Sequence, residues 1–204
     1  MIKNKKYQVI REALSKELSN FIFNYMLLQR NAVDFMLKSG QLKEVNFFTG
    51  QRDDPQAPGV YSKYADWVME TLLQHMIPIM KEKTEMNLIP TYSFTRLYEK
   101  GSILKRHKDR PSCEVSTTLH LGGDEWPIFL EGIQVDLKVG DMLIYSGCDL
   151  EHWREPFKGN VCSQVFLHYN HVNGPFAQTN RFDKRPMLGL RRNDLMLLGV
   201  AGGT

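Results

Sequence analysis

The residues best suited to chemistry are His107 and Asp109, two positions apart, and His152 later in the chain. Two imidazoles and one carboxylate form the facial triad of non-haem iron sites, which leaves coordination positions open for substrates. Residues two apart point to the same side of an extended segment, so His107 and Asp109 can converge on one point. The third ligand must then come from a strand folded over them. The plainer alternative is a surface pair in a loop, with His152 packed in the core.

Short strand patterns surround these residues and should position them. Residues 90–98 alternate as a strand that stops at Lys100-Gly101, and residues 103–107 carry His107 into an exit loop. Six further strands are predicted at 114–121, 126–130, 133–137, 142–146, 152–157 and 163–170. Two helices followed by about eight short strands predict a mainly β protein, a sandwich or barrel with helices supporting one face.

The part of the chain before residue 88 is predicted to be largely helical. Residues 7–10 read as a short strand, and Ser15 is a suitable N-cap for a helix whose apolar residues recur until Ser39-Gly40. Residues 41–60 form a long loop, which either covers an active site or is a variable surface connection.

A second helix is expected over about residues 62–83, with a kink at Pro78. His75 lies on or beside its apolar stripe and is expected to be a packed core histidine rather than a ligand.

Composition narrows the class of protein. The 204 residues, 42% of them apolar, suit one globular domain, and Lys plus Arg exceed Asp plus Glu by only 26 − 23 = 3. This balance gives no case for nucleic acid or an acidic membrane surface as a partner. We expect no signal peptide and no membrane span, since no apolar run approaches the required ~18 residues. Three cysteines without CxxC spacing argue against disulfides or a zinc site and favour a cytoplasmic location.

Two longer stretches resemble the core of prolyl 4-hydroxylase-like, 2-oxoglutarate- and Fe(II)-dependent dioxygenases. Tyr92–Gly101 followed by Leu104–Asp109 looks like the entry to that core, and Val139–Tyr145 followed by Glu151-His152-Trp153 resembles the family's Pro-Gly-Asp turn, strand and distal iron histidine. The match covers roughly residues 88–170. It implies a double-stranded β-helix, or jelly roll.

The resemblance also implies a domain organisation. Residues 1–204 would form a single dioxygenase domain, with helical support over about 1–87, a jelly-roll core over about 88–170 and a C-terminal extension over 171–204. The extension carries a basic cluster that is expected to be solvated surface, and a short apolar segment that either wraps the barrel or docks on a neighbour. These two features are Arg181, Lys184, Arg185, Arg191 and Arg192, and residues 195–200.

The resemblance implies that His107, Asp109 and His152 are the catalytic metal ligands, holding Fe(II). The cosubstrates would be 2-oxoglutarate and O2, with ascorbate supporting turnover. The reaction would be hydroxylation of an unactivated C–H bond, and the presence of Asp109 favours hydroxylation over halogenation. A peptidyl prolyl residue is one candidate substrate, while free amino acids and other small molecules stay open.

The expected 2-oxoglutarate contacts depart from the family pattern. Tyr98 and His120 fall at positions that contact the cosubstrate in the family. The family usually places Lys or Arg about ten residues beyond the distal histidine, and residues 160–164 here contain no cation. A buried carboxylate needs a charge partner. The candidates, in order of preference, are Arg154, Arg96 and Lys105, with Gln164 as a neutral helper; His168 is expected in the core, or else lining the same cavity.

Two other functions are compatible with the sequence. A cupin-like jelly-roll metalloprotein of different chemistry would explain the missing cation, and a non-catalytic binding module would keep the fold alone. The expected partners are a small-molecule cosubstrate and a peptide or small-molecule substrate, with no nucleic acid and no membrane. The oligomeric state stays open.

Overall fold

The computed structural model describes residues 6–181, 183 and 185. Its elements, in chain order, are β1 (Tyr7–Ile10), α1 (Lys16–Lys38), β2 (Tyr61–Tyr64), α2 (Trp67–His75), α3 (Ile77–Thr84), β3 (Leu88–Glu99), β4 (Leu104–His107), a 3-10 turn (Pro111–Cys113), β5 (Val115–Gly123), β6 (Ile128–Leu130), β7 (Ile133–Val135), β8 (Met142–Tyr145), β9 (His152–Arg154), β10 (Val161–His171) and α4 (Ala177–Asn180).

The strands form two antiparallel sheets. The larger sheet has the order β1-β8-β5-β10-β3-β2, and the smaller has the order β4-β9-β6-β7. Strands that are adjacent in space are mostly distant in sequence, which is typical of a jelly roll rather than a meander. The predicted fold class, a mainly β jelly roll with N-terminal helices, is confirmed. The eight strands predicted from residue 90 onward are all present as β3 to β10.

Helix α1 supports the larger sheet on its outer face. It begins at Ser15, whose side chain accepts a hydrogen bond from the backbone N–H of Leu18 at 3.2 Å, as predicted for an N-cap. Its buried side chains Ile22, Met26 and Val33 join the apolar core beneath β5 and β10. This core holds the larger sheet rigid behind the inward-facing residues.

The predicted helix over residues 62–83 is wrong in its first part. Residues Tyr61–Tyr64 form strand β2, which pairs with β3, and Asp66 caps α2 by accepting from the backbone N–H of Val68. Because Asp66 is the N-cap, the helix begins at Trp67, which lies inside the apolar pattern that predicted an earlier start. The helix then breaks before Pro78 into two short helices, with Pro in the first turn of α3.

His75 is exposed at the end of α2, so the prediction of a core histidine is wrong. The helix ends at this residue, and the buried positions near it are Leu72, Leu73 and Met76.

The described part of the C-terminal extension contacts the domain. Arg185 is buried and forms an ion pair with Glu70 on α2, so it differs from the solvated surface expected of the basic cluster. Lys184, Arg191 and Arg192, together with residues 195–200, lie outside the described residues. Among the described helices, none has the length and hydropathy to cross a membrane.

Candidate metal centre

Pairing of β4 with β9 places His107 directly opposite His152. Asp109, two residues after β4 ends, lies between them: its Oδ1 is 3.6 Å from the Nε2 of His107 and 3.6 Å from the Nε2 of His152. The ligand atoms of the three residues lie within 4.8 Å of one another. The structure therefore brings together the three residues predicted as metal ligands, at a spacing one ion could bridge.

Backbone carbonyls fix the tautomer of both histidines. The Nδ1 of His107 lies 2.7 Å from the carbonyl oxygen of Lys105, and the Nδ1 of His152 lies 3.0 Å from that of Leu150. A carbonyl oxygen can only accept, so in each neutral ring Nδ1 carries the proton and Nε2 keeps its lone pair. Metal-binding histidines in proteins use this arrangement, with the distal nitrogen held by the protein.

Asp109 is held by two contacts that the sequence did not predict. The hydroxyl of Ser116 donates to Asp109 Oδ2 at 2.7 Å, and the backbone N–H of Asp109 donates to the carbonyl of Gly147 at 2.9 Å. Burial favours the neutral acid, but the neighbouring imidazoles of His107, His152 and His168, when protonated, and the hydrogen bond from Ser116 outweigh it. Together they hold the pKa of Asp109 well below its usual range.

Gly147 leaves room for the carboxylate. A Cβ at this position would lie 2.4 Å from Asp109 Oδ2 and 2.4 Å from Ser116 Oγ, closer than atoms can approach. No motif points to Ser116 or Gly147, because both reach Asp109 from elements distant in sequence. The alternation of side chains along β5, which indicates that Ser116 faces the barrel interior, was the only sequence signal for this residue.

Lys105 is not brought to the centre. The pairing of β4 with β9 shifts register between Leu104 and His107, so three steps on β4 match two on β9. This bulge breaks the alternation on which the prediction for Lys105 relied. Its side chain is exposed, and its backbone N–H donates to the carbonyl of Gln56 instead.

A cavity of about 460 Å³ opens above the three residues. Part of the 41–60 loop forms one side, so of the two interpretations of that loop the structure favours a cover over the site. The lining residues include Gln51, Asp53, Asp54, Pro55 and Gln56 from the loop, and Tyr64, Tyr92, Phe94, Arg96, Tyr145, Phe166 and His168 from the barrel.

His168 is both buried and part of this cavity wall. Its Nδ1 lies 3.0 Å from the hydroxyl of Ser116, and its ring packs against Tyr92 at 4.5 Å between centroids. Burial lowers the pKa of His168 to about 4, so the ring is neutral at pH 7. It also lies near Asp109 and Cys113 in a second potential ligand group, which shares Asp109 with the first.

Arg96 lines the cavity but already has an anionic partner. Asp54, from the loop, lies 2.7 Å from its Nε and 2.6 Å from its Nη2. Its remaining donors reach Gln56 at 2.7 Å and the hydroxyl of Tyr98 at 3.3 Å. This buried ion pair ties the loop to β3.

Four of the predicted cosubstrate residues lie deeper than the cavity lining. Tyr98, His120, Arg154 and Gln164 are all buried, and the amide of Gln164 donates to Nδ1 of His120 at 2.9 Å. Burial, aided by the charge of Arg154, lowers the pKa of His120 to about 4, so this ring is neutral too. These four buried residues therefore form a polar cluster in which Arg154 carries the positive charge.

Arg154 is incompletely satisfied. Its Nη1 donates to the carbonyl of Trp126, over whose ring the guanidinium carbon lies 5.1 Å from the centroid. Within the described part of the chain, its Nε and Nη2 have no hydrogen-bond partner.

No protein-family model matches the sequence, and no curated protein matches it. Solved structures do. The chain is similar to a prolyl 4-hydroxylase from Pseudomonas putida, with 15% identity, a TM-score of 0.55, and 83% of this chain and 95% of that one covered. A viral collagen prolyl hydroxylase from Paramecium bursaria Chlorella virus 1, solved with 2-oxoglutarate, has 12% identity, a TM-score of 0.57 and coverages of 84% and 99%.

A third similar structure is HygX from Streptomyces hygroscopicus, solved with nickel and 2-oxoglutarate bound. It has 11% identity, a TM-score of 0.58 and coverages of 84% and 85%. At these identities the likeness establishes the jelly-roll fold. What the fold does in this chain has to be argued from its own residues.

Proposed function

We propose that this protein is an Fe(II)- and 2-oxoglutarate-dependent dioxygenase that hydroxylates an unactivated C–H bond. The observation that carries the proposal is the convergence of His107, Asp109 and His152 beneath a cavity, with both Nε2 atoms 3.6 Å from one carboxylate oxygen. Two nitrogens and one oxygen on one side, with space on the other, suit Fe(II). The fold shared with structures that hold 2-oxoglutarate supports the choice of cosubstrate.

The residues present fit both groups. His107, Asp109 and His152 would hold the iron, and the unsatisfied donors of Arg154 suit an anionic ligand. When bound, iron and 2-oxoglutarate supply the oxidising chemistry: O2 is consumed, 2-oxoglutarate becomes succinate and CO2, and one oxygen atom enters the substrate C–H bond. The chain's own contribution is position, charge and a dry cavity.

Several residues help to position the metal ligands and to keep water away from the centre. Ser116 and Gly147 hold the carboxylate of Asp109 in place, so that the same oxygen faces both histidines. The rings of Phe94 and Phe166 form an apolar wall beside the centre, which limits water near a reactive site. The loop, tied down through Asp54, covers the cavity.

The substrate is a peptide segment or a small molecule with a C–H bond that can reach the centre. A prolyl residue of a peptide is one candidate, because two similar structures are prolyl hydroxylases. A free amino acid or another small molecule is the other, since a cavity of about 460 Å³ suits a small ligand.

Succinate formation tests this function. Protein supplied with Fe(II), ascorbate, O2 and 2-oxoglutarate should convert 2-oxoglutarate to succinate, slowly alone and faster with a substrate drawn from a peptide and amino-acid panel. His107→Ala should abolish conversion and lower the iron content, while His75→Ala, at an exposed site, should change neither. Absence of succinate across the panel would contradict the proposal.

A jelly-roll metalloprotein of different chemistry is the second candidate. It is favoured by one observation, the absence of a cation from residues 160–164. It predicts stoichiometric iron binding by the same three residues, without measurable affinity for 2-oxoglutarate.

A further inference from the structure

The charge of Arg154 is buried, and among the described residues no anionic side chain forms an ion pair with it. Its residue is 2% exposed, one N–H group donates to the Trp126 carbonyl, and Nε and Nη2 are unsatisfied among the described residues. Removing a guanidinium from water without a partner is strongly unfavourable, and unsatisfied buried donors add to the penalty. A site built this way stabilises an anion that brings its own acceptor atoms.

The position of Arg154 relates it to the metal centre. It follows His152 by two residues on β9, so both side chains face the barrel interior, about 6.5 Å apart along the strand. A five-carbon diacid bound to the metal at one end would extend its other end over that distance.

The neighbouring strand offers no competing cation there. The residues of β10 that face the interior beside Arg154 are Cys162 and Gln164. Cys162 is a neutral thiol whose pKa burial raises, although the nearby Arg154 acts in the opposite direction, and Gln164 is neutral and bound to His120. The guanidinium therefore lies in the barrel interior on β9, beside the position of Cys162 on β10.

Of the cations that line the cavity beside Arg96, Arg110 is paired with Asp183 and Lys108 is exposed. The two other predicted anion partners do not offer an unpaired buried charge either. Arg96 is paired with Asp54 at 2.6 Å and also donates to Gln56. Lys105 is exposed beyond the bulge in β4. Of these three candidates, Arg154 is the one whose charge is both buried and without an ion pair among the described residues.

We infer that Arg154 binds the far carboxylate of a 2-oxo dicarboxylate and makes the site selective for a diacid over a 2-oxo monoacid. The inference rests on the proposed function, and it moves the anion-binding residue from β10 to β9. Arg154 is not among the cavity-lining residues, so the inference requires the bound acid to displace side chains that lie between the cavity and Arg154.

Binding measurements without turnover test the inference. Mn(II)-loaded protein is titrated calorimetrically with 2-oxoglutarate and with 2-oxobutanoate, which lacks the far carboxylate. The wild type should bind the diacid at least about 30-fold more tightly. Arg154→Leu should abolish that preference by weakening 2-oxoglutarate alone. Lys158→Leu, which removes an equal charge at an exposed position, should leave both affinities unchanged.

Relocating the charge gives a second arm. Arg154→Leu combined with Cys162→Arg should restore the preference, because the guanidinium then reaches the same part of the barrel interior from β10. If Arg154→Leu does not fold, Arg154→Lys serves instead: it should weaken 2-oxoglutarate binding about tenfold, since an ammonium cannot pair through two N–H groups, and leave 2-oxobutanoate unchanged.

The outcomes separate the two proposals. An undiminished diacid preference in Arg154→Leu, or unchanged 2-oxoglutarate affinity in a folded Arg154→Lys, would overturn the role of Arg154, as would loss of the preference in Arg96→Leu alone. Wild-type protein that binds Mn(II) but neither acid would instead overturn the proposed function itself.

Discussion

Replacing Ser116 by Ala should weaken metal binding while leaving all three ligands in place. The Ser116 hydroxyl donates to Asp109 Oδ2 at 2.7 Å, and this bond turns Oδ1 toward His107 and His152. A hydrogen bond to a charged group contributes about 1.5–3 kcal/mol, which corresponds to about 10- to 150-fold in affinity. Contacts that orient metal ligands typically contribute a comparable 10- to 100-fold.

The assay is calorimetric titration of metal-free protein with Mn(II), at a temperature well below unfolding. That precaution matters because Ser116 also contacts His168 at 3.0 Å, and leaving that ring unpaired should lower stability by about 1–3 kcal/mol. Ser163→Ala is the matched control: its hydroxyl is equally buried but has no partner among the described residues. Equal Mn(II) affinity in Ser116→Ala and wild type would refute the argument that this bond orients Asp109.

Three further predictions concern the loop, the approach to the carboxylate, and pH. Asp54→Asn should destabilise the fold by about 3–5 kcal/mol in urea unfolding, because it leaves Arg96 charged, buried and unpaired. Gly147→Ala should reduce Mn(II) affinity at least tenfold, since its Cβ would displace the carboxylate of Asp109. Stability should fall as pH drops from about 6.5 to about 4: the folded pKa of His120 is about 4, so acid protonates the unfolded chain first. His120→Gln should make this slope shallower without removing it, because the buried His168, whose folded pKa is also about 4, contributes to it as well.

Neighbouring residues supply the controls. Asp53→Asn, in the exposed position next to Asp54, should leave the urea midpoint unchanged, and an equal effect of both changes would argue against the ion pair. His75→Gln should preserve the pH slope that His120→Gln makes shallower. Full Mn(II) affinity in Gly147→Ala would mean that the backbone can shift without moving the carboxylate.

Much of the fold was readable because its signals are local. Alternation marked β3 to β10, and Ser15 marked the start of α1. The errors arose where tertiary context decided. Residues 61–64 pair with β3 although their spacing continues an apolar helical pattern. Lys105 was misplaced because a one-residue bulge cannot be seen in a strand four residues long.

The candidate site divides in the same way. His107, Asp109 and His152 could be predicted because their type and order carry the chemistry. Ser116 and Gly147 could not, since their importance lies in contacts between strands and loops far apart in sequence. Likewise, the sequence could not show that Arg154 is buried without an ion pair among the described residues, because that is a property of the packed interior.

The most direct test of the central claim is anaerobic titration of the Fe(II)-loaded protein with 2-oxoglutarate, followed by visible absorption. We predict a weak, saturable charge-transfer band in the wild type. In His152→Ala, both the bound iron and the band should be lost. Stoichiometric iron binding with no band at any 2-oxoglutarate concentration would contradict the account, as would full iron retention in the variant.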